Sequence, residues 1–151
     1  MHTFINLMYS FLIWFLIITF ILFYPMLISI YVFLPLFIGV GGYIFIVGIN
    51  QKKWHHVLLT ILYFINLEVN LSLPFFLMIL STLIVYTIFY TKLAQVKRCK
   101  ICAKILLVLL LDIVYLASLL GYDFIFQTSS IGVDTLLAYS LIVDLLAVMI
   151  L

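Results

Sequence analysis

Long apolar runs alternate with short polar interruptions along this chain, and each run approaches the 20 or so residues that a helix needs to cross a bilayer. The pattern predicts six helices, over residues 4–24, 27–49, 54–67, 73–90, 105–121 and 131–151. The first stops at Pro25, which predicts a tight connection, and the second carries Pro35 and the small-residue patch Gly39-Val40-Gly41-Gly42. The third has few apolar residues for a span. It meets Glu68-Val69-Asn70 before Pro74 opens the fourth, so these two read as a helical hairpin with a polar tip. Residues 122–130 form a polar connector between the fifth and sixth. The expected fold is an all-α, polytopic integral membrane protein with one transmembrane domain over residues 1–151.

Composition strengthens this reading. Hydrophobic residues make up 69% of the 151 and charged residues 8%, with a mean hydropathy of +1.46. A soluble domain of this size has no interior large enough for so much apolar surface. All seven basic residues fall at 52–53 or within 92–104. With six spans the two basic loops are two crossings apart and share a side, which the positive-inside rule makes cytoplasmic. Both termini are then cytoplasmic, while Pro25, the Glu68 tip and the 122–130 connector face outward. A five-span arrangement, with a re-entrant segment inside 54–90, puts the basic loops on opposite sides and is disfavoured. The first helix lacks a basic leader and a small-residue cleavage site, and is expected to be retained as an anchor.

The helices hold little Ala or Gly, which points to bulky lipid-facing surfaces. Gly39, Gly41, Gly42 and Gly48 are the exception, and Gly41 and Gly48, a heptad apart, offer either a close helix approach or local flexibility after Pro35. Of the five acidic residues, Asp123 and Asp134 belong to the outer connector. Asp112 and Asp144 each lie about two turns from the cytoplasmic end of their predicted helices, at similar depth. An ionised Asp near the middle of a membrane helix costs about 2.5–3.5 kcal/mol on insertion scales. With no basic residue at that depth, the pair is expected to be protonated, hydrated or bonded to hydroxyls such as Tyr115, Ser118 or Ser140. It is either a proton- or cation-linked site or a polar contact between helices.

Glu68, Asn70 and Pro74 form a second candidate. Pro74 restricts Leu73 to extended or turn geometry, so this tip is either a turn satisfied by its own side chains or a surface for a partner or ligand. Cys99 and Cys102 form a Cys-x-x-Cys pair on the cytoplasmic face. One pair supplies half of a structural zinc site, His55 and His56 have no diagnostic spacing, and the cytosol keeps thiols reduced. Trp54, His55 and His56 beside Lys52-Lys53 read as an interfacial anchor. Lys97, Arg98, Lys100 and Lys104 are placed to touch anionic lipid headgroups, at about 1 kcal/mol each. A net charge of +2 is too small a basic field for nucleic acid. No phosphate loop, His-Glu-x-x-His or nucleophile elbow occurs, so no catalytic residue, cofactor or metal is expected, and binding to partners inside the membrane is the leading class.

The hairpin sequence Tyr63-Phe64-Ile65-Asn66-Leu67-Glu68-Val69-Asn70-Leu71-Ser72-Leu73-Pro74 carries a family resemblance. An apolar run reaches an acidic residue and then a Leu-Pro step, within a chain of this length and span count. In these respects the chain resembles MreD, the small membrane component of the bacterial rod-shape system. It departs from that family in having Glu where Asp is usual and in lacking Gly around the turn. The resemblance implies a non-enzymatic inner-membrane scaffold that binds an MreC-like protein and cell-wall synthases of the peptidoglycan elongation machinery. MreD-like proteins are similar in fold to the substrate-binding subunits of vitamin transporters, an alternative weakened by the absence of Ala from residues 4–24. A third reading is a small proton- or ion-coupled transporter using Asp112 and Asp144, as a homo-oligomer because so short a chain hardly encloses a path alone.

Overall fold

Among the described residues five non-glycine positions have positive φ: Phe37, Lys52, Ser72, Phe76 and Gln127. Each stands at a helix boundary. A computed structural model describes residues 2–31, 33–90, 92, 100–127 and 133–150, with backbone alone for 2–7, 100 and 133–136. All regular structure among them is helical: α1 His2–Ile30, α2 Ile38–Asn50, α3 Trp54–Asn70, α4 Leu77–Val85, α5 Lys100–Phe126 and α6 Val133–Ile150. A π-helical turn, Tyr86–Tyr90, prolongs α4.

The helix class is as expected, but the boundaries move. Pro25 lies inside α1 and does not end it. The break comes at residues 33–37, where Pro35 disfavours helix at Leu34 and Phe37 adopts a left-handed conformation (φ 49°). Fourth-helix structure begins at Leu77, not Leu73, after Phe76 (φ 63°). The third helix, expected to be the short one, has 17 residues, whereas α2 has 13 and α4 has 9. Residues 122–126 of the expected connector continue α5.

Both α2 and α3 end on the same device. Lys53 N–H donates to the Gly48 carbonyl and Lys52 N–H to the Ile49 carbonyl; Leu73 N–H donates to Glu68 and Ser72 N–H to Val69. These are Schellman closures, with Lys52 (φ 55°) and Ser72 (φ 52°) where glycine is usual.

Two helical stretches, Met8–Ile30 and Ile101–Phe126, are long and apolar enough to cross a membrane. At a 1.5 Å rise per residue, α2 is about 20 Å long, a half-helix on the scale of a bilayer. It is also the hub. Glycines let its neighbours approach: a Cβ on Gly41 would lie 2.8 Å from Phe64 and one on Gly48 2.9 Å from Val57, both on α3. One on Gly42 would meet Leu111 of α5 and Thr82 of α4. The small-residue patch is therefore a close helix seam.

Around this hub α1 and α3 run parallel, with Trp14 beside His55 and Leu22 beside Asn66. α4 packs chiefly on α5, while α3 packs on α1 and α2. The expected pairing of third and fourth helices is thus confined mainly to their turn. α1 is peripheral, with 17% of its apolar stretch buried.

Candidate functional site at two half-helix N-termini

The segments leading into α2 and α4 are related. Tyr24, Leu34-Pro35 and Phe37 recur as Tyr63, Leu73-Pro74 and Phe76, and every matched position differs in number by 39, as 74 does from 35. Both phenylalanines are left-handed and both precede a half-helix, a conformation costing about 1–2 kcal/mol for a residue with a side chain. The buried pairs Ile28 and Leu67, and Ile46 and Val85, fall in the same register. The helix–break–half-helix unit therefore occurs twice.

A helix N-terminus presents N–H groups without intrahelical acceptors and the positive end of the helix dipole. Inside a bundle an acceptor must be supplied, and here a buried carboxylate does it at equivalent positions. In the second unit, Glu68 Oε1 accepts the Met78 N–H and Oε2 the Phe76 N–H, both at 2.8 Å. Glu68 is fully buried, and the preceding Schellman closure turns the chain back over it. In the first unit, Gly39 corresponds to Met78, and Asp144 Oδ2 accepts its N–H at 2.7 Å. Ser29, which corresponds to Glu68, bonds the Met26 carbonyl of its own helix. The carboxylate for α2 comes instead from α6.

Asp112 arrives at the same point from α5. Its two oxygens lie 2.9 and 3.0 Å from where a Gly39 Cβ would be, so only glycine leaves room for both acids. α5 begins earlier than its apolar run suggests, and Asp112 is about 18 Å from that end, near mid-helix rather than two turns in. Asp112 and Asp144, expected at similar depth, both reach Gly39. The hydroxyls named as their partners do not bond them. Ser140 Oγ accepts the Leu36 N–H at 3.2 Å, Ser118 bonds Val114 and Ser81, and the buried Tyr115 hydroxyl has no hydrogen-bond partner. Asp112 Oδ2 and Asp144 Oδ1 are likewise buried without a partner, and among the described residues no basic side chain acts on either acid.

The irregular stretch before α2 is held by side chains from three helices. Tyr24 donates to the Pro35 carbonyl at 2.8 Å and Tyr63 to the Leu36 carbonyl at 2.7 Å, alongside the Ser140 contact from α6. Pro25, lacking an N–H, leaves the Ile21 carbonyl of α1 open. Asn66 fills the gap, its Nδ2 lying 3.2 Å from Ile21 O and 2.8 Å from Leu22 O.

Asn70, placed at the tip by sequence, supports that contact by donating to Asn66 Oδ1 at 2.8 Å. Pro74 ends the extended step before α4, and its carbonyl accepts the Leu77 N–H at 3.4 Å. Lys104, expected at lipid headgroups, is half-buried with its Nζ 6.0 Å from the centre of the Tyr43 ring. Lys97, Arg98 and Cys99 lie outside the described residues, as does the side chain of Lys100. Cys102 is exposed near the start of α5. Sequence reasoning passed over Tyr24, Tyr63, Asn66 and Gly39 as site residues. The repeated Tyr, Leu-Pro and Phe register was the signal available for the first two. Asn66 and Gly39 acquire roles only through their neighbours in space. Comparisons of the chain with known protein families, characterised proteins and solved structures give no match.

Proposed function

We infer that this chain is a polytopic bacterial inner-membrane subunit that acts by binding other membrane proteins, with six embedded segments and both termini in the cytoplasm. The observation that carries the reading is where five of its buried or half-buried polar side chains are engaged. Glu68, Asn66, Tyr24, Tyr63 and Ser140 all bond the chain's own interrupted backbone. The polar interior serves chiefly as internal bracing, and a braced frame suits a subunit whose work is done on its outside.

That outside is apolar. Phe11, Phe15, Leu16 and Phe23 of α1 are all more than half exposed, a surface suited to lipid and to a partner's transmembrane helix. The second and fourth crossings would each join an extended step to a half-helix, with irregular backbone allowed at depth because protein groups satisfy it. The MreD resemblance rests on the hairpin around Glu68 and Pro74, where Glu68 accepts the Phe76 and Met78 N–H groups. It names the partners as an MreC-like scaffold and cell-wall synthases of the elongation machinery.

The test is a mild-detergent affinity purification of the tagged chain from its own membranes. Stoichiometric recovery of a single-span periplasmic scaffold or of cell-wall synthases is expected. Recovery of the chain alone overturns the reading.

A further inference from the structure

At both half-helices a carboxylate takes the N–H of the equivalent residue, Gly39 or Met78, yet those carboxylates are not equally satisfied. Glu68 has an N–H donor for each oxygen. At α2 two acids converge on one glycine. Asp144 is fully buried and Asp112 is 6% exposed; one oxygen of each is buried without a partner, and Asp112 is aimed at the α2 terminus. An ionised carboxylate can only accept hydrogen bonds, whereas a protonated one donates. Two ionised acids side by side, with surplus acceptors and no basic side chain acting on them among the described residues, would leave buried charge uncompensated. A single proton removes one charge and turns one oxygen into a donor.

We propose that the Asp112–Asp144 pair at the N-terminus of α2 is a proton-binding site, with one proton resident on the pair and Asp112 as the acid. Asp144 is the base form because its Oδ2 takes the Gly39 N–H and the positive end of the α2 dipole. A proton rather than a metal ion fits the donors present. Alkali and alkaline-earth cations take about six oxygen ligands, often including unwound backbone carbonyls next to a broken helix. Here the Pro35 and Leu36 carbonyls already accept from Tyr24 and Tyr63. No group of three or more potential metal-binding side chains occurs among the described residues. The site does not depend on the partner-binding reading of the whole chain.

The experiment is infrared spectroscopy of the intact protein in lipid vesicles, following the carbonyl stretch of protonated carboxyl groups against pH. The wild type is expected to show one such band at neutral pH that disappears on alkalinisation. Asp112→Asn should lose the band and keep its helix content by circular dichroism, since the amide supplies the donor that the acid did. Asp144→Asn should keep a band but move the pH at which it is lost, and this arm decides the matter if Asp112→Asn does not fold. A wild type without the band, a band that survives Asp112→Asn, or a titration unmoved by Asp144→Asn overturns the proposal. Loss of the band on adding sodium at constant ionic strength overturns it in favour of a metal cation.

Discussion

Pro25 and Asn66 should behave as one unit, although they sit on different helices. The missing N–H at Pro25 leaves the Ile21 carbonyl without its helical donor, and Asn66 supplies one from α3 while also bonding Leu22. Asn66→Leu keeps the volume and removes both bonds. Hydrogen bonds between membrane helices contribute about 0.6 kcal/mol on average and about 1.7 at most. The part-buried Ile21 carbonyl left without a partner adds about 1–3 kcal/mol, so the expected loss is about 1.5–4.5 kcal/mol. Pro25→Ala restores the N–H and lets α1 close its own bond to Ile21. In that background Asn66→Leu should cost about 1–2 kcal/mol less than in the wild type. The assay is reversible unfolding in mixed micelles, followed by circular dichroism on the two single variants, the double variant and the parent. Independent sites add to within about 0.3–0.5 kcal/mol. Additivity at that level would refute the coupling and leave Pro25 and Asn66 as unrelated neighbours.

The same unfolding assay reaches the other braces. Glu68→Leu leaves the Phe76 and Met78 N–H groups without their acceptor and should lose about 3–6 kcal/mol, because hydrogen bonds to a charged group contribute about 1.5–3 each. Glu68→Gln retains one acceptor and should lose about half of that; equal losses would sink the two-pronged clamp. Gly39→Ala drives a methyl to 2.6 Å from Val108 and 2.9 Å from Asp112 and should cost about 1–3 kcal/mol by overpacking. Gly121→Ala meets nothing within 4 Å and should gain up to about 1 kcal/mol from helix propensity; a loss there as large as at Gly39 would contradict the seam. With Cys99 and Cys102 replaced by Ser, single cysteines at Gln51 and Gln127 should react with an impermeant thiol reagent from opposite faces of the membrane, and labelling from one face would rule out the six-segment topology.

The apolar runs made helix the only regular structure that satisfies its own backbone away from water, so the all-helical class and the approximate position of each helix could be read from the chain. Helix ends could not. Pro25 and Pro35 look alike in the sequence, and the first is carried through a helix while the second marks a break. The difference lies in Asn66, which is 41 positions from Pro25 in the numbering and adjacent to it only after α3 has packed on α1. Acidic residues divide in the same way. The scarcity of charge marked Glu68, Asp112 and Asp144 as residues needing an explanation. Their separate roles depend on which N–H groups stand opposite each.

By itself the sequence determined that this chain is helical and overwhelmingly apolar, that its basic residues cluster in two short stretches, and that Asp112 and Asp144 sit in apolar runs. These properties follow from composition and short-range pattern, which each residue carries wherever the chain goes. Tertiary structure alone decided that α2 and α4 are half-helices, that Glu68 is fully bonded, and that Asp112 and Asp144 meet at Gly39 with acceptors to spare. A buried carboxylate is a brace or a proton site according to the donors within about 3 Å of it, and here those donors lie on other helices or beyond a turn.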